Sequence, residues 1–100
     1  EEAQAVLKRD PKSIQAYLIL GDGSLLKNDI PKATRSYEEL IRIAPSNPIG
    51  YFQMGRILLA QKKTKEALPQ FEKALSLQPN FGDALNFIVA IYMIQKEDKK

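Results

Sequence analysis

The sequence contains no cysteine, no histidine and no tryptophan. Without thiol or imidazole there is no thiol nucleophile, no disulfide, no Cys/His zinc set and no Ser-His-Asp arrangement. A cysteine-free chain suits oxidising and reducing compartments alike, so it assigns no location. Long apolar runs are missing too. The longest, Phe87 to Ile94, falls well short of the roughly 18 residues a membrane span needs, so no membrane insertion is expected from it. There is no Gly-rich phosphate loop, because Gly21-Asp22-Gly23 lies inside a helix-period pattern and follows no strand. Acidic residues occur in adjacent pairs, Glu1-Glu2, Glu38-Glu39 and Glu97-Asp98. Helical neighbours point about 100° apart and do not converge on one reacting atom. The expectation is a chain that is not an enzyme and holds neither metal nor cofactor.

What is present describes a globular protein: 44% hydrophobic and 27% charged residues place the chain outside the disordered class. The net charge of +3 is concentrated in Lys62, Lys63, Lys65 and in Lys96, Lys99, Lys100. No aromatic residues interleave with these lysines to stack bases, so they read as solvated charge and argue against nucleic acid.

Self-similarity is the dominant signal. At an offset of 34, Tyr17 meets Tyr51, Leu20 meets Met54, Gly21 meets Gly55, Ala33 meets Ala67, Tyr37 meets Phe71 and Pro45 meets Pro79. The register extends forward to Leu85, Ile88 and Val89, and backward to Pro11 and Val6. Each unit reads as two helices. The first carries Tyr17, Leu20, Gly21, Ser24 or Tyr51, Met54, Gly55, Leu58 on one helical face. Breaks follow at Asn28-Asp29 and at Lys62 to Thr64, with Asp29 and Thr64 as candidate N-caps. The second helix carries Ala33, Tyr37, Leu40 or Ala67, Phe71, Ala74, and stops before Pro45 or Pro79. Small residues at Gly21, Gly55, Ala33 and Ala67 permit close helix approach, and the aromatics fill the remaining volume.

These residues resemble the tetratricopeptide repeat (TPR) family, with Tyr51, Met54-Gly55, Leu58, Ala67, Phe71, Ala74 and Pro79 as the better copy. The resemblance covers the whole chain. It implies an all-α fold, an α-α superhelix or right-handed solenoid of antiparallel helix pairs. Residues 1–11 then read as the second helix of a preceding repeat, 14–47 and 48–81 as complete repeats, and 82–100 as the first helix of a following one. Both ends read as cuts through a longer array. Two positions depart from the pattern. Val89 stands where the close-packing glycine belongs, and Pro69 lies about one turn into its helix, where a mild bend is expected.

The resemblance also implies a job: first helices line a concave groove that binds a protein or peptide. On that face stand Leu18, Asp22, Leu25, then Phe52, Arg56, Leu59, then Asn86 and Met93. Apolar rungs flank a charged one, which suits an apolar-bearing peptide or a partner helix. Phe52, Leu59 and Met93 are the candidate anchors. Arg56 is either a polar handle for the ligand or the ion-pair partner of Asp22. Some TPR domains clamp acidic chaperone tails with Lys, Asn and Arg, whereas the matching places here hold Leu18, Asp22, Gln53, Asp83 and Phe87. Two acids and no cation argue against that specialisation. The alternative is a self-associating scaffold segment. The last helix is apolar around most of its circumference, and Phe87, Ile91 and Ile94 are the candidates for homo-oligomer contacts.

Overall fold

The computed structural model describes residues 13–98, and the helix expected over 1–11 lies outside the described residues. Side-chain caps decide where three helices begin. Ser13 accepts the Ala16 amide at 3.1 Å and opens α1, Ile14–Leu26. Asp29 accepts the Lys32 amide at 3.2 Å and opens α2, Ile30–Ile43, with Pro31 in its first turn. Asn47 accepts the Ile49 amide at 3.0 Å and opens α3, Pro48–Ala60. The fourth helix, α4, spans Thr64–Leu77, and its cap residue Lys63 makes no side-chain capping bond. Thr64, expected to cap, is instead the first helical residue. The last helix, α5, spans Gly82–Asp98. The elements of the described residues are all helices.

Helices α1 and α3 stop in the same way. Asn28 and Lys62 take left-handed backbone conformations, with φ of 60° and 64°. Asp29 donates to the Ser24 carbonyl and Asn28 to that of Leu25, while Lys63 donates to Leu58 and Lys62 to Leu59. This is the Schellman arrangement, which satisfies the last carbonyls of a helix. Asparagine tolerates that conformation; lysine adopts it against steric resistance. Pro69 has no amide to give the Lys65 carbonyl, yet α4 continues through it to Leu77.

The chain divides into two units between Ser46 and Asn47. In the first, α1 and α2 bury Ala16, Leu20, Ala33, Tyr37 and Leu40. A Cβ added to Gly21 would collide with the Tyr37 ring. Those two residues lie equally far from Asp29 in sequence, so the helices run antiparallel. In the second unit, α3 packs on α4 by the same device, with Gly55 under Phe71 and Lys63 midway between them. Helix α5 adds to this pair, and the core holds Phe52, Ala67, Phe71, Ala74, Ala84, Ile88 and Ile91.

All four phenylalanines of the chain meet in that second core. Phe71 and Phe87 stack with centroids 4.8 Å apart and planes 2° from parallel. Phe52 stands edge-on to both, at 5.8 Å and 5.7 Å, and tilts against Phe81 at 4.8 Å. Such pairs contribute about 0.5–1.5 kcal/mol each beyond the area they bury.

Candidate functional site

The residues expected on the groove face belong to both units, and each half has its own environment. In the first unit Leu18 and Leu25 are half-buried and Asp22 is exposed. The Asp22 carboxylate accepts a hydrogen bond from the Tyr37 hydroxyl, 15 residues further along. Asp22 therefore sits at the margin of the α1–α2 contact, tied to the ring that fills the space beside Gly21.

In the second unit Arg56 is exposed, and Nη1 donates to Gln53 Oε1 at 2.9 Å. Its guanidinium carbon lies 6.0 Å from the centroid of the Phe52 ring, at the limit of cation–π attraction. Gln53, buried in α3, thus fixes the head of Arg56 from one helical turn below. Asp22 and Arg56 each have a polar partner inside their own unit. Leu59 is half-buried against the core, Asn86 is exposed and Met93 is 62% exposed.

Phe52 stands apart from the other groove candidates. Only 8% of it is exposed, and three phenyl rings surround it. The self-association candidates divide in the same way. Ile91 is fully buried and Phe87 is stacked on Phe71, while Ile94 is 43% exposed. The accessible apolar surface of α5 lies instead on Leu85, Val89, Tyr92 and Met93, together with Ile94.

Two features escaped the selection of site residues. Gln53 matches a ligand-facing position of the clamp-type domains, but its spacing of three from Arg56 on one helix is the signal for a pair. The lysines of the α3–α4 turn line an open cleft of about 390 Å³ with Thr64, Glu66 and Gln95. Elsewhere, Arg42 pairs with Glu39 at 2.7 Å on the exposed side of α2. The hydrogen bond that Arg42 donates to Glu39, and then the Glu39 charge, raise the Arg42 pKa above the ordinary value. So exposed a pair has little energetic weight. Among the described residues, no three acidic side chains converge in a way that could hold a metal ion.

Residues 48–81, which hold α3, its turn and α4, match the profile of the tetratricopeptide repeat. That segment is a tetratricopeptide repeat. A TPR repeat-containing protein of Picosynechococcus is 27% identical over 74 residues, covering 74% of this chain and 19% of that protein. The chain thus spans a small part of that relative's length. Among solved structures, the TPR2B domain of yeast Sti1, in its pHsp70 complex, superposes with a TM-score of 0.76 at 27% identity. That match covers 84% of this chain and 67% of the Sti1 chain. YrrB, a TPR protein with an unusual peptide-binding site, superposes with a TM-score of 0.87 at 19% identity, over 99% of this chain and 51% of YrrB. At that identity the likeness speaks for the TPR fold alone. No helix of the described residues is long and apolar enough to cross a membrane.

Proposed function

We propose that this TPR segment is a protein-interaction module whose first helices take an apolar-bearing peptide or a partner helix. In the second unit, Arg56 and Leu59 on α3 with Asn86 and Met93 on α5 form the contact set; in the first, Leu18 and Leu25 on α1 form a contact patch of their own. The observation that carries the reading is Arg56. Its charged head is exposed, yet Gln53 and the Phe52 ring hold it in one position. A cation that is already ordered loses little entropy when a ligand carbonyl or carboxylate meets it.

Phe52 supports this set from beneath as the wall on which Arg56 rests. The Sti1 domain is similar in fold and was solved with a pHsp70 partner, which favours peptide binding as the general mode. An acidic tail is not the ligand inferred here, because Leu18, Asp22 and Asp83 stand where such a tail would need cations.

The test is selection of displayed random peptides on the immobilised chain, followed by affinity measurement against Arg56→Glu and Leu59→Asp. Enriched peptides rich in apolar residues, weakened at least tenfold by either substitution, support the reading. No enrichment, or peptides indifferent to both substitutions, overturns it.

A further inference from the structure

Gln53 has more hydrogen-bonding capacity than the fold uses. Its side chain is 7% exposed, and its Oε1 accepts from Arg56 Nη1 at 2.9 Å. The Nε2 amino group of the same amide has no acceptor among the described residues. A buried donor left without a partner carries a large desolvation penalty. This one is not sealed from water, because every occluded side-chain nitrogen or oxygen of the described residues has a partner. A side chain more than nine-tenths buried thus brings one donor edge to the surface, beside the exposed head of Arg56.

Arg56 has capacity to spare as well. One of its N–H groups goes to Gln53, and among the described residues no carboxylate pairs with its charge. The Phe52 ring backs the guanidinium from 6.0 Å. If residue 53 served only to brace Arg56, a glutamate would do so more strongly, with a full negative charge. Glutamine braces it with oxygen alone, leaves the cation without a counter-charge, and sets a second donor next to it.

We propose that Gln53 and Arg56 form a two-donor seat for a single carboxylate on the ligand, with Gln53 Nε2 and the Arg56 guanidinium each donating to it. Leu59, one turn further along α3 and half-buried, sets an apolar contact next to that seat. Asp83, exposed in the first turn of α5, has the sign that opposes further acids. One acid beside an apolar side chain therefore fits better than a run of acids. This inference rests on the interaction reading above and narrows its ligand.

Three dipeptides are the probes: acetyl-Glu-Leu-amide, acetyl-Gln-Leu-amide, and acetyl-Ala-Leu with a free terminal carboxylate. Each is titrated into the whole chain while the Gln53 side-chain amide and Arg56 Nε–H resonances are followed. The glutamate dipeptide is expected to shift both to saturation, and the glutamine dipeptide to bind roughly tenfold more weakly. Saturation of the same two resonances by the free-carboxylate dipeptide supports the seat and shows that a chain end can fill it. Gln53→Glu keeps a brace on Arg56 but removes the second donor, and Gln53→Met removes the amide at similar volume. Both should abolish the preference for glutamate over glutamine. Equal affinity of those two dipeptides, an unmoved Gln53 amide, or a preference that survives Gln53→Glu overturns the seat. Library-selected peptides that bind without an acid and ignore Gln53→Met overturn it too, while leaving the interaction reading intact. An empty selection beside a saturating glutamate dipeptide does the reverse.

Discussion

Phe71 lays its ring over the bare α-carbon of Gly55, so near that a Cβ there would stand 2.8 Å from the ring. The ring cannot step aside. It is fully buried, stacked on Phe87 and met edge-on by Phe52. Helix approach in the second unit is therefore set by one missing methyl group, as it is at Gly21 and Tyr37 in the first.

Gly55→Ala tests that point directly. Alanine adds about 1 kcal/mol of helix propensity, but overpacking a filled core costs about 1–3 kcal/mol, and a ring held on both sides keeps the cost high. A lower melting temperature is expected by circular dichroism. Gly23→Ala should do the opposite, because its Cβ would meet nothing within 4 Å while the propensity gain remains.

The α3–α4 turn carries a strain that glycine would relieve. Lys62 sits at φ 64°, a conformation that costs an L-residue with a bulky side chain about 1–2 kcal/mol. Lys62→Gly is expected to raise the urea midpoint, with a gain of about 1 kcal/mol. Asn28→Gly should gain less, since asparagine already tolerates that region.

Phe52 and Arg56 should separate stability from binding. Phe52→Ala opens a cavity among three rings and is expected to cost about 3–5 kcal/mol in denaturant titration. Arg56→Ala removes a single hydrogen bond from Gln53, a loss of about 1 kcal/mol, and leaves a folded chain for binding assays.

Much of the fold was legible because the strongest constraints are local and periodic. A glycine 16 residues before an aromatic, centred on a turn, states both the antiparallel pairing and its closeness. The face of Phe52 was harder to read. Its helical angle lies about 60° from that of Gly55, at the edge of the face that meets α4, and a wheel drawn for two helices leaves much of the ring uncovered. The ring is enclosed because Phe81, ahead of α5, and Phe87, within it, bring a third element across. Similarly, Ile91 reads as exposed on a helix that is apolar all round, and the structure shows which of its stripes is used. Thr64 looked like a cap because its residue type is right, but the helix starts one residue earlier than that role requires.

Mapping amide shifts with a library-selected peptide tests the interaction reading most directly. The expected result is that perturbations in the second unit cluster on Arg56, Leu59 and Met93, and that Arg56→Glu lowers affinity at least tenfold without lowering the melting temperature by more than a few degrees. Perturbations confined to α2 or the outer side of α4, with affinity unchanged by Arg56→Glu, would contradict it.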